Sequence, residues 1–187
     1  MLKLFILPIC LGLALGFSGC SNSSSQTGTP VAQQSPLPED PLPGRDGWEP
    51  AKACAHLSDK LKTGSYINEG ENIFGCRSEA KRFGGGSPPN SIVYYVKGDP
   101  LRARQVGLVV SVNNLESAND AHRTLLEYSE ALSLKALGVP LSPSAGSAIS
   151  TGGTGKGRVD TTRIEVLRNN FSTGGSYELH FVITPRQ

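Results

Sequence analysis

Neither sign of charge dominates this sequence, in which 18 Lys and Arg stand against 16 Asp and Glu. A balance so near zero provides no basic stripe for a nucleic-acid backbone. The aromatics, 6% of residues, are not interleaved with cations as base-stacking side chains would be. Nucleic-acid binding is therefore not expected. Histidine is scarce: His56, His122 and His180 occur singly and at no ligand spacing, which argues against a zinc site. The chain lacks a CxxC, a nucleophile elbow and a catalytic Cys-His sequence, so no redox, acyl-transfer or cofactor chemistry announces itself. No apolar run is long enough to cross a bilayer as a stable helix, which takes about 20 residues.

What is present begins at the N-terminus. Met1 to Gly19 carries one cation, Lys3, then an apolar run through Phe5, Ile6, Leu7, Ile9, Leu11, Leu13 and Leu15, and ends in small residues. That is the pattern of a secretory signal. Its last residues, Phe17-Ser18-Gly19-Cys20, resemble the bacterial lipobox: an apolar residue, two small ones, then the cysteine that is lipidated. Phe17 stands where Leu is usual. The rival reading is a freely secreted protein, cut after Cys20 with Ser18 and Cys20 at the small-residue positions.

The resemblance implies that Cys20 carries a thioether-linked diacylglycerol and an amide-linked third chain of palmitate type, and that the bilayer is a partner through it. Two or three acyl chains suffice for stable anchoring. In enteric-type bacteria an Asp after the cysteine holds a lipoprotein in the inner membrane. Ser21 stands there instead, which points to the outer membrane, facing the periplasm. In that compartment the four cysteines reduce to one pair: Cys10 leaves with the signal and Cys20 takes lipid, so Cys54 and Cys76 are expected to form a disulfide.

Residues 20–47 are expected to be the lipidated Cys20 and a disordered linker rich in Ser and Pro, without the aliphatic residues to build a core. Residues 48–187 are expected to be a single domain. Trp48, the only tryptophan, reads as its first core residue. A helix follows, with Pro50 in its first turn, Cys54, Leu57 and Leu61 on one stripe and Gly64 to end it. Residues 65–90 show little pattern beyond a short strand at Ile73 to Cys76 and a solvated basic cluster at Arg77, Lys81 and Arg82.

Two strands then stand out, Ser91 to Lys97 and Gln105 to Asn113, joined through Gly98-Asp99-Pro100. Tyr94 and Tyr95 face opposite ways, one toward the core and the other a candidate partner contact. Ser117 to Leu137 reads as a long helix ended by Gly138, with Ser117 and Asp120 as N-cap and N3. Leu141 to Gly157 is a small-residue connection with one helical turn around Ala145 to Ile149. Its Gly152 to Gly157 stretch is not a phosphate loop, because Ser150 and Gly157 occupy the places that need Gly and Ser or Thr.

The last two strands alternate through Ile164 and Val166 and through Tyr177, Leu179, Phe181 and Ile183. Their apolar sets face inward together only if even positions of the first oppose odd positions of the second. That register collects Arg163, Glu165, Glu178 and His180 on the other face, and Phe171 in the connection is a second candidate contact.

The expected fold is α+β, a mainly antiparallel four- to five-stranded sheet covered on one face by two helices. The expected function is that of a non-catalytic binding or structural module of the cell envelope, an accessory part of a secretion, conjugation or wall-associated assembly. Its partner would be an envelope protein or the cell wall. The alternative is an envelope hydrolase using His180 with Glu165 or Glu178.

Overall fold

The structure is a computed structural model that describes residues 46–172 and 175–185. Residues 1–45, which hold the expected signal, Cys20 and most of the expected linker, lie outside the described residues. In chain order the elements are α1 (Pro50–Ala55), β1 (Ile67–Gly70), β2 (Ile73–Arg77), β3 (Lys81–Phe83), β4 (Asn90–Gly98), β5 (Ala103–Val112), α2 (Ala118–Leu137), α3 (Pro143–Ser150), β6 (Gly155–Val159), β7 (Thr162–Asn170) and β8 (Tyr177–Thr184). A 3-10 turn, Leu115–Ser117, leads into α2.

The strands form one eight-stranded sheet in the order β1-β2-β4-β5-β8-β7-β6, with β3 beside β2 on the same edge of β4. The neighbouring strands run antiparallel. The α+β class and the antiparallel sheet follow the sequence pattern; the count of four to five strands does not. Four of the eight lack the apolar alternation that identifies a half-buried strand. β1 is exposed along its whole length, β3 is three residues long, and β6 alternates glycine with Lys156 and Arg158. In β2, two of five residues are buried.

Helix content departs from expectation as well. The first helix is only six residues, and its continuation is a series of turns that still buries Leu57 and Leu61. The turn expected at Ala145 to Ile149 is a full helix, started by Pro143 in its first turn and capped by Ser142, whose side chain accepts from the Ala145 N–H. Three helices, not two, therefore cover the sheet. Ser117 stands at the N-cap of α2 but makes no side-chain cap bond. The residue that caps this entry is Asn114, which accepts from the Glu116 N–H. Gly138 ends α2 in the left-handed conformation at φ 72°, donating its N–H to the Leu134 carbonyl.

All three helices lie on one face. Inward-pointing Ile92, Tyr94, Leu108, Val110, Leu179 and Phe181 are buried beneath them along with Leu125 and Leu132 of α2. Trp48 joins the same core, its indole N–H donating to the Ala136 carbonyl at 2.8 Å. The disulfide between Cys54 and Cys76 ties α1 to β2. Tyr94 donates its hydroxyl to the Ala53 carbonyl at 2.6 Å and is fully buried, while Tyr95 points out through the opposite face.

Candidate functional site

The uncovered face of the sheet gathers most of the side chains singled out in the sequence. The strand registers define rows across it. One row runs Arg77, Tyr95, Gly107, Val182, Glu165 and Lys156; the next runs Val93, Val109, His180 and Leu167. The centre is apolar, and Val93 and Val182 are only 8% and 5% exposed although no helix covers them. Tyr95 accounts for part of this. Its ring lies against Gly107, where a Cβ would come within 2.6 Å of Cζ and Oη. Glycine in the middle of a strand therefore marks a close approach, of an aromatic ring to backbone. Lys97 Nζ sits 5.7 Å from the ring centroid, and burial pushes the Tyr95 hydroxyl pKa up while Arg77 works against that shift.

Beside the ring, Glu69, Arg77, Tyr95, Lys97, Val109, Glu178 and His180 line a concavity of about 330 Å³. His180 Nε2 is 3.0 Å from Glu178 and 3.2 Å from Asn169, and Ser111 donates to Glu178 at 3.2 Å. Glu165 belongs to a separate group, 3.1 Å from Arg163 and 3.8 Å from Lys156. The predicted register holds, with Ile164 opposite Ile183 and Val166 opposite Phe181. The four polar residues thus share a face, with Glu165 diagonal to His180, and no hydrogen bond or ion pair joins these two among the described residues. Phe171, 44% exposed, lies past the end of β7. It is not brought together with Tyr95: Phe171 follows Asn170, which pairs with Tyr177, whereas Tyr95 lies in the row of Gly107 and Val182, five residues further along β8.

No protein-family model, curated protein or solved structure matches the chain.

A second polar group escaped sequence reasoning because its members are far apart in the chain. His122 of α2 and Tyr177 of β8 share a hydrogen bond at 2.6 Å. Arg168 stacks over the Tyr177 ring at 3.6 Å and donates to the Gly152 carbonyl at 2.7 Å. Gly152, at φ +63°, leaves no room for a side chain: a Cβ there would lie 2.5 Å from His122 Cε1. The Gly-rich stretch in the sequence thus serves the fit of a turn over a buried imidazole. Burial lowers the His122 pKa and Arg168 adds to this, partly offset by the Ser150 backbone. His56, packed edge-on to Trp48 at 6.3 Å, is driven from 6.5 down to about 4 by burial and by Lys135.

Both histidines are neutral in the fold at pH 7, and their shift fixes the sign of an acid effect. Below pH 6.5 the unfolded chain takes up protons that the folded one refuses, so stability rises with pH from about 4 to 6.5 and falls on acidification. Allowing for residual hydration of His56, the expected loss across that window is about 2 kcal/mol. Urea unfolding at a series of pH values measures it, and His56→Gln should flatten the curve. A wild-type curve already flat from pH 6.5 to 4 would show that the imidazoles are not held neutral.

Proposed function

We propose that this protein is a membrane-anchored envelope lipoprotein, held through acylated Cys20, whose uncovered sheet face is a non-catalytic binding surface for an envelope protein or cell-wall partner. It would act as an accessory part of a secretion, conjugation or wall-associated assembly, on the periplasmic side of an outer membrane. The observation that carries the reading is Tyr95 lying against Gly107, next to a concavity lined by Glu69, Arg77, Lys97, Glu178 and His180, on a face that no helix covers. Such a face supplies what a partner surface uses: an aromatic anchor on rigid strands, with polar side chains around it for orientation. The lipobox-like leader supports the location, and the Ser/Pro-rich segment up to residue 45, with a coil reach of about 30 Å, supports a partner close to the membrane.

The test is site-specific photocrosslinking in the native cell. A crosslinker at Leu167, on the open face, is expected to capture a defined species, and one at Glu130, on the exposed side of α2, is not. Tyr95→Ala should abolish the Leu167 product without lowering the amount of protein. Equal capture from both positions, or none from Leu167, would refute the open face as the binding surface.

A further inference from the structure

We propose that a groove between residues 60–64 and the β2–β3 connection binds a linear anionic polymer, one that repeats phosphate or carboxylate groups along its length. The inference goes beyond the open-face reading and does not depend on it. In the sequence, Arg77, Lys81 and Arg82 form an ordinary solvated cluster. The fold changes their setting by bringing Lys60 and Lys62 to them from the segment after α1. Thr63 bridges to Ser78, the Gly64 N–H donates to the Arg77 carbonyl at 3.2 Å, and Thr63 Oγ1 donates to the Cys54 carbonyl at 3.1 Å. This bridge, next to the disulfide, fixes the two basic segments as walls of a concavity of about 630 Å³.

Lys60, Lys62, Arg77 and Lys81 line it, with Glu79 as the acid among them. Two of the cations are held in place. Lys60 Nζ is 2.6 Å from Glu127 and 5.1 Å from the Tyr128 ring centroid; Lys81 Nζ donates to the Tyr128 hydroxyl at 2.9 Å and stands 5.7 Å from the same ring. Tyr128 thereby organises two ammonium groups of which Glu127 neutralises one. Lys62 and Arg77 have no carboxylate within ion-pair distance among the described residues.

The groove is an open trough rather than an enclosed cavity, so it suits a chain lying across it better than a metabolite engulfed by it. Ammonium groups accept an anion from any direction, and Arg77 alone offers a planar fork, so repeated single anions fit the donor set. Arg77 also lines the open-face concavity, and a polymer in the groove can continue over the sheet edge toward Tyr95.

Titrating the full chain, purified in detergent, with linear inorganic polyphosphate and with polygalacturonate tests this. At least one is expected to bind, more weakly as salt rises. Lys62→Gln with Lys81→Gln should weaken binding about tenfold. Arg102→Gln with Lys135→Gln, the same change of charge at exposed sites elsewhere, should leave it unchanged. The tighter probe identifies the anion as phosphate or carboxylate. Absence of binding to both, equal loss in the two double variants, or binding only to vesicles containing phosphatidylglycerol would overturn the proposal. Thermal melting checks that the groove variant is folded; if it is not, Lys62→Gln alone, in an exposed segment, carries the same comparison.

Discussion

Replacing Cys20 with Ser is expected to move the protein from the membrane fraction to the soluble one almost completely. Each buried methylene of an acyl chain contributes about 0.8 kcal/mol, and a single chain gives only marginal, reversible attachment, whereas two or three hold a protein on the bilayer. A serine at this position offers no thiol for the thioether, so the loss should be all-or-none rather than graded. Among the described residues no helix is long and apolar enough to cross a membrane. The decisive readout is the intact mass of the native protein. It should exceed that of the polypeptide starting at Cys20 by a diacylglycerol and a third acyl group. A native chain that weighs only its amino acids, or that starts after Cys20, would remove the anchor and with it the placement at the membrane.

The elements that could be read from the sequence are those whose side chains alternate between two different solvents. β4, β5, β7 and β8 each place apolar residues inward at alternate positions over part or all of their length, and α2 keeps Ala121, Leu125, Leu132 and Ala136 on one stripe. β6 was not readable because its inward positions include Gly155 and Gly157. Helix α3 packs so close that a Cβ on Gly155 would meet the Ala148 Cβ at 2.7 Å, and of the inward face only Val159, at the strand's end, carries a side chain. β1 gave none because both its faces are wet.

The open-face site was half legible. Parity along two strands puts Glu178 and His180 on the face opposite the core, and splits Tyr94 from Tyr95 in the same way. The clue that was passed over is Gly107, set within Val106-Gly107-Leu108-Val109-Val110, where a strand interior gains nothing from glycine unless something approaches the backbone. The basic groove and the His122 network depend on contacts between distant segments, Thr63 with Ser78 and His122 with Tyr177, for which no local periodicity exists.

Removing the Cys54–Cys76 bridge is expected to cost about 3 kcal/mol, which for a domain of this size lowers the melting temperature by roughly 10 °C. The half-cystines are 7% and 3% exposed and 22 residues apart, and the segment they close has little else to hold it. α1 is only six residues, far too short to be stable by its own hydrogen bonds, and β1 buries none of its four. Besides the disulfide, Leu57 and Leu61 pack against the core, Thr63 bridges to Ser78, and the hydroxyls of Tyr94 and Tyr66 donate to the Ala53 and Asp99 carbonyls. The effect should therefore be regional before it is global. In Cys54→Ala with Cys76→Ala, amide exchange should accelerate across residues 50–77 while β5, β8 and α2 keep their protection. The single tryptophan reports on the same region, since Trp48 packs edge-on against His56 and its indole donates to Ala136. Its fluorescence should shift before far-ultraviolet circular dichroism changes. The same early transition should appear in the wild type under reductant. Melting curves that coincide with and without reductant, for a native protein whose mass is two hydrogens light, would mean that core contacts alone fix α1. In that case the walls of the groove beside it would not owe their spacing to the bridge.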